Sequence, residues 1–355
     1  MGELPRAARP GEGCRGTRPD GTRDEVREVL VDTAEVTLAA RDHGGSGAPL
    51  LLLHGAGGNL ATMSALAEAL RPAHRVVTVD LRGHGRSGDG PWRWDAVLAD
   101  LASLVDQLGM AEPAVVGVSL GGMLAALWAR EHPECPGVVS LDGNAPPTRP
   151  DQLPGLDEDR AAAELARLRE TFAAMSAAMA APMTAGQVEA ALAAQRAVAG
   201  RCGADDEPWV EGFRRNLVPC GGPPAGRAGN DGDGVDGMMR LRPGPDLVEE
   251  LRLAMETIDL FPVYREARCP LLLVLATEDM PEQQPFQELY AAHRRGLAER
   301  TAAAARENPL VRVVQLDGAS HLMVAEQPAR IADLITDFLA AAAAAPEPAS
   351  TPGIR

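Results

Sequence analysis

Ser119 stands in Gly117-Val118-Ser119-Leu120-Gly121, a G-x-S-x-G pentapeptide between an apolar run and a run with helical spacing. A sharp turn there lifts a hydroxyl into the open, and the glycines relieve crowding where a strand meets a helix. The helix N-terminus behind it favours developing negative charge. A serine hydroxyl is a poor nucleophile near neutral pH. It needs a base in contact, and the base needs a carboxylate that fixes its tautomer and stabilises its protonated form. His321, in Asp317-Gly318-Ala319-Ser320-His321, is the candidate base, and Asp279, in Ala276-Thr277-Glu278-Asp279, is the expected acid. Asp142, in Asp142-Gly143-Asn144, is the rival acid, with Glu278 behind it. The loop His54-Gly55-Ala56-Gly57-Gly58-Asn59 carries little bulk. It can aim a backbone N–H at an oxyanion, and Ala56 and Leu120 are the expected donors.

These segments must be brought together by the elements around them. Short apolar runs at 26–31, 36–40, 50–53, 76–79, 114–118, 138–141, 271–275 and 311–316 read as strands. Helical patterns lie between them at 60–70 (Asn59 as N-cap), 94–108, 120–130, 283–306 and 328–345. Fully apolar strands alternating with helices indicate a parallel sheet covered on both faces, an α/β fold with eight strands. Ligands bind at the C-terminal strand ends of such sheets, where the elbow, the glycine loop, Asp279 and His321 all fall. The pattern breaks over 144–266, a mainly helical stretch rich in Ala, Met and Arg, with a short helix expected at 208–218 and a longer one at 247–260. It reads as a cap inserted between the core segments 26–143 and 267–345. A Gly/Pro/Asp-rich loop at 221–237 is expected to be flexible, and 1–25 and 346–355 to be loose tails. Met123, Phe172, Met175, Trp209 and Phe213 are candidate lining residues, with Met179 and Met183 beside them.

Composition narrows the function. The 355 residues are 45% hydrophobic, enough for a sizeable core. With 34 basic and 50 acidic residues the net charge is −16, which disfavours nucleic acid and anionic membranes as partners. A small-molecule substrate is the expected partner. No apolar run is long enough to span a bilayer or follows the N-terminal arginines as a secretory signal would. Every Lys/Arg position is arginine, which excludes a lysine Schiff base and a P-loop lysine; GC-rich bacterial coding is the expected source of that bias. Five cysteines without a CxxC indicate neither a disulfide framework nor a zinc site. Pairing of Cys202 with Cys220 stays open, but reduced thiols in a cytoplasmic protein are the expectation. No metal or cofactor is expected.

Two further patterns invite other readings. Gly83-His84-Gly85-Arg86-Ser87-Gly88 fits G-x-G-x-x-G, yet it is not the first strand-to-helix turn, and no acid ends a following strand about 20 residues on. Asp231, Asp233 and Asp236 lack the ligands and closing glutamate of a calcium loop.

The elbow, the glycine loop, the two strand-end residues and Asp80-Leu81-Arg82-Gly83-His84-Gly85-Arg86-Ser87 together resemble the α/β-hydrolase superfamily over 26–143 and 267–340. The resemblance implies Ser119 as nucleophile, His321 as general base and acid, Asp279 as orienting acid, and Ala56 with Leu120 as the oxyanion hole. It also implies that some members draw the acid from the strand end that Asp142 occupies. Serine at the elbow argues against the dehalogenases and epoxide hydrolases of this fold, which have aspartate there. The expected activity is cleavage of a carboxylic ester or lactone of a small to medium apolar substrate through an acyl-enzyme. C–C bond hydrolysis or perhydrolysis is the nearest alternative. A non-hydrolytic ligand-binding, cyclase or isomerase protein on the same fold is another.

Overall fold

The computed structural model describes residues 26–220 and 237–344. Both expected tails, and nearly all of the 221–237 loop with Asp231, Asp233 and Asp236, lie outside the described residues. The chain opens with the hairpin β1 (Arg27–Asp32) and β2 (Thr37–Asp42), then β3 (Pro49–Leu53), α1 (Ser64–Leu70) and β4 (Arg75–Val79). Next come α2 (Trp94–Gln107), β5 (Ala114–Val118), α3 (Leu120–Glu131) and β6 (Val138–Leu141). The insert holds α4 (Glu158–Ala180), α5 (Ala185–Cys202), α6 (Glu207–Arg215), β7 (Leu217–Pro219), β8 (Met239–Leu241), α7 (Pro245–Thr257) and α8 (Leu260–Glu266). The core resumes with β9 (Leu271–Ala276), α9 (Gln287–Glu307), β10 (Val311–Leu316), α10 (Met323–Glu326) and α11 (Pro328–Ala344).

Eight strands form one sheet in the order β1-β2-β4-β3-β5-β6-β9-β10. β1, β2 and β4 pair antiparallel, and every pair from β4 through β10 is parallel. Successive side chains of a strand point to opposite faces, so an all-apolar strand feeds two cores. Leu51, Leu53, Val77, Val79 and Val115 accordingly pack on one face, against residues of α2, α3 and α8. Leu50, Leu52, Val76, Val116 and Val118 pack on the other, against α1, α10 and α11.

Register carries this fold to function. Leu53 pairs with Gly117 and Val79, Val118 with Leu141, Leu141 with Val274, and Ala276 with Leu316. The C-terminal ends of six strands therefore stand level on one rim. β3 lies between β4 and β5, so the order in which strands are added across the sheet reverses at β3, the place where ligand crevices form in such sheets.

Three expectations need correction. Residues 60–70 are not one helix: a 3₁₀ turn at Leu60–Met63 precedes α1. Asn59 does cap it, its Oδ1 accepting the Ala61 N–H at 3.0 Å, and its carbonyl accepts the Thr62 N–H at 3.1 Å, a bond spanning three residues that winds the first turn as 3₁₀. Residues 247–260 divide into α7 and α8, because extended Ile258 breaks the helix and the Asp259 carboxylate caps a new one at the Phe261 N–H, 3.1 Å away. The stretch 208–218 is not all helix: α6 ends at Arg215, and Leu217 begins β7, which pairs antiparallel with β8.

The insert is pinned to the core by charge. Arg215, on α6, donates through Nε to Asp80 Oδ2 at 2.7 Å and through Nη1 to both Glu28 oxygens at 3.0 and 3.1 Å. Arg41 on β2 joins Glu28 to Glu211 on α6. Asp80 and Arg215 are buried. Removing one member of a buried pair strands the other charge, at a cost of about 3–5 kcal/mol. Arg215→Met is expected to lower unfolding free energy by about that amount in urea titration, whereas Arg252→Met, at an exposed side chain of α7, changes it by less than about 1 kcal/mol.

Candidate active site

Ser119 sits between β5 and α3 with φ 54° and ψ −120°, a left-handed backbone that a non-glycine residue rarely adopts. Its N–H donates to Leu141 O at 2.9 Å, and its carbonyl accepts the Met123 N–H at 3.0 Å. The flanking glycines are forced by space. A Cβ on Gly117 would stand 2.0 Å from Gly121 O, and one on Gly121 would stand 2.3 Å from Leu53 O. Only a bare backbone lets α3 start this close to β3 and β5, and that closeness makes the turn sharp. Leu120 opens α3, so its N–H has no acceptor within the helix.

His321 follows β10 in a tied loop. Ala319 O accepts the N–H groups of Thr277 and Glu278, both at 3.0 Å, and Ser320 Oγ donates to Glu326 Oε1 at 2.8 Å. The carboxylate that meets His321 is Asp142: its Oδ2 lies 2.6 Å from Nδ1. Asp142, also left-handed at φ 47°, donates its N–H to Val274 O at 2.7 Å and accepts the Ala276 N–H on Oδ1 at 3.2 Å. The neighbouring strand thus aims the acid. Burial opposes charge on both partners, but their hydrogen bond and mutual attraction outweigh it. The Asp142 carboxyl is held below its usual range, and the His321 imidazole is raised above 6.5. With Nδ1–H given to the carboxylate, Nε2 is left free to accept a proton.

Asp279 was the expected partner, and that expectation is corrected. It pairs with Arg294 of α9. The chain leaving β9 is turned by the two bonds to Ala319 O, which carry Asp279 past the histidine towards α9.

Ser119 and His321 line one cavity of about 390 Å³. Ala56, Asn59, Thr62, Gln195, Asn216, Arg242 and Leu322 border it too. Trp209 and Phe213 of α6 line it as expected. Met123, Phe172 and Met175 do not. Met123 points from α3 into the core, while Phe172 and Met175 lie on an exposed face of α4, where only Met179, one turn further on, reaches the cavity. Asn216 and Arg242 escaped sequence reading because only docking of the insert brings them here. Leu322 was legible as the neighbour of His321.

Two buried histidines support the glycine loop. His54 Nδ1 donates to Gly55 O at 2.7 Å and Nε2 accepts the Leu81 N–H at 3.0 Å. His84 Nδ1 donates to Arg82 O at 3.0 Å and Nε2 accepts the Gly57 N–H at 3.3 Å. Burial pushes their pKa values down to about 4 and about 3, so both serve as neutral brackets. The G-x-G-x-x-G stretch that contains His84 wraps Asp80, whose Oδ2 accepts the Arg86 N–H at 2.8 Å.

Among the described residues no group of three or more His, Cys, Asp or Glu is arranged to hold a metal. Cys135, Cys202, Cys220 and Cys269 are free thiols. No described helix is long and apolar enough to cross a membrane.

A model of the alpha/beta hydrolase fold matches residues 48–281. The chain belongs to the α/β-hydrolase family. The poly(3-hydroxyalkanoate) depolymerase of Ectopseudomonas oleovorans is 34% identical over 110 residues, 30% of this chain and 39% of the depolymerase. The pimeloyl-[acyl-carrier protein] methyl ester esterase of Yersinia pseudotuberculosis is 34% identical over 125 residues, 35% of this chain and 47% of the esterase. The chain thus spans less than half the length of these curated relatives. Among solved structures, an E-2-(acetamidomethylene)succinate hydrolase superposes with a TM-score of 0.63 at 22% identity, over 89% of this chain and all of that one. At that identity the likeness shows the α/β-hydrolase fold alone.

The signs of the two shifts fix a titration test. The raised His321 pKa contributes stability that is complete below 6.5 and is lost as pH rises through the folded value. The lowered Asp142 pKa contributes stability that is present above 3.8 and is lost as pH falls through the folded value. NMR titration is expected to find His321 above 6.5 in the wild type, lower in Asp142→Asn, and unmoved in Asp279→Asn.

Proposed function

We propose that this chain is a serine hydrolase cleaving a carboxylic ester or lactone of a small to medium apolar substrate, with Ser119, His321 and Asp142 as its triad. The observation that carries the reading is the 2.6 Å Asp142–His321 bond, beside a cavity that both His321 and the strained Ser119 line. Ser119 Oγ attacks the carbonyl carbon while His321 Nε2 takes its proton. Asp142 keeps the imidazole in the Nδ1–H tautomer and stabilises the imidazolium. The carbonyl oxygen gains charge opposite the N–H groups of Ala56 and Leu120. Collapse expels the alkoxide, protonated by His321, and leaves an acyl-Ser119. Water, deprotonated by His321, then hydrolyses that ester.

The chemistry of the cavity supports the substrate class. Trp209, Phe213, Met179, Leu241 and Val324 offer apolar walls. Arg242 also borders the cavity, but its guanidinium is already engaged by Gly85 O at 2.6 Å and by Asp89, so an anionic substrate gains little there. The depolymerase and methyl ester esterase relatives point to ester chemistry as well. The insert acts as a cap, since α6 supplies one wall of the cavity. Free thiols fit a reducing, cytoplasmic location.

The test is labelling by a fluorophosphonate probe and turnover of p-nitrophenyl acetate and butyrate. The wild type is expected to label at Ser119 and hydrolyse both esters. Ser119→Ala should lose labelling and at least about 10⁴-fold in kcat. Asp142→Asn should lose about 10²–10⁴-fold, and Asp279→Asn should stay within about threefold. A wild type that neither labels nor hydrolyses these esters overturns the reading. Activity requires neutral His321, so kcat/KM should fall as pH drops, with its midpoint above 6.5. In Asp142→Asn that midpoint should move to lower pH.

A further inference from the structure

Three side chains hold the turn at residues 55–58, and one of them comes from the insert. The Gly55–Ala56 peptide is planar and trans, so its C=O and N–H point in opposite directions. Gly55 O is fixed by His54 Nδ1 at 2.7 Å and by the Gly58 N–H at 3.0 Å. The Ala56 N–H is thereby turned away from both donors. Gly57 follows with φ 72°, a conformation that glycine adopts freely and as freely leaves. Its N–H donates to His84 Nε2 at 3.3 Å, and its C=O accepts from Asn216 Nδ2 at 2.8 Å. The shorter of these two bonds is the one from the insert.

Asn216 is well placed to act as a strut. It is 6% exposed, at the junction of α6 and β7. Its Oδ1 accepts the Gly85 N–H at 2.9 Å, and its own carbonyl accepts the Arg242 N–H at 2.8 Å. One side-chain amide therefore joins the glycine turn, the loop after β4 and the insert. Asn59 adds a second tie from the same turn, donating through Nδ2 to Gly212 O of α6 at 2.7 Å.

The geometry points to Asn216 as a positioning residue: the docked insert completes the oxyanion site by bracing Gly57, which holds the Ala56 N–H on target. Asn216 acts through Gly57 and touches no reacting atom. The catalytic half of this inference rests on the hydrolase reading; the strut itself rests on the hydrogen bonds. A misaimed donor loses part of the 10²–10³-fold that complete loss of an oxyanion donor typically costs.

The experiment compares the wild type with Asn216→Ala and Asn216→Asp. The aspartate keeps the acceptor for the Gly85 N–H and the side-chain volume but removes the donor to Gly57 O, so it guards against collapse of the alanine variant. Three quantities are measured: amide hydrogen exchange over 55–60, kcat and KM for p-nitrophenyl butyrate, and inhibition by an alkyl trifluoromethyl ketone. That ketone forms a C–O bond with Ser119 Oγ; its oxygen becomes the anion, and the serine proton passes to His321. Expected are exchange about tenfold faster over 55–60 with α3 unchanged, kcat lower by about 10- to 100-fold, KM within about twofold, and ketone affinity weakened in step with kcat. Unchanged exchange overturns the strut. Faster exchange with unaltered kcat, or a raised KM with kcat retained, overturns the positioning role. A wild type inert to ester and ketone alike overturns the hydrolase reading instead, and exchange alone then decides whether Asn216 braces the turn.

Discussion

A histidine can serve as a base at a chosen atom only if its other nitrogen is held, and here one carboxylate does the holding. The bond between Asp142 and His321 spans two strand ends with β9 between them. It forms because Asp142 hands its N–H to β9 and takes an N–H back from β9 on its carboxylate. The sheet thus orients the acid through bonds that do not involve the histidine. Ordering both groups costs conformational entropy, and partial burial costs hydration. Against the desolvation, their hydrogen bond and mutual attraction hold the Asp142 pKa down and the His321 pKa up.

Local strain collects on the same rim. Ser119 and Asp142 are both left-handed without being glycine. Such a backbone costs about 1–3 kcal/mol at each residue and persists only where the surroundings over-determine it. At Ser119 the determinants are the Leu141 carbonyl and the bare contacts of Gly117 and Gly121. At Asp142 they are the backbone groups of β9. Each strained residue is thereby held by its neighbouring strand, so the register of the sheet reaches directly into the geometry of the site.

The insert is joined to this rim by polar contacts at its α6–β7 corner. Arg215 meets Asp80 and Glu28, Asn59 meets Gly212, and Asn216 meets Gly57 and Gly85. Directional bonds of this kind fix orientation better than apolar packing does. Asp80 also supports the start of the 3₁₀ turn beyond Asn59, so one buried carboxylate serves the glycine loop and the insert together.

The sequence by itself determined the sheet and the elbow. β5, β6 and β10 run over the residues their apolar patterns mark, and Gly117, Ser119 and Gly121 announce a turn that only glycines permit. These are local properties: strand periodicity and backbone space are set by residues adjacent in the chain. The sequence pointed to Asp279 rather than Asp142, although both follow apolar strands and differ only in what the third dimension brings to them. Tertiary structure gave Asp279 to Arg294 and left Asp142 for His321. It likewise turned Phe172 and Met175 outward, buried Met123, and brought Asn216 to a loop 159 positions earlier in the chain. Such pairings depend on how separate elements dock, and the energies that decide them belong to contacts between distant residues, which no single segment encodes.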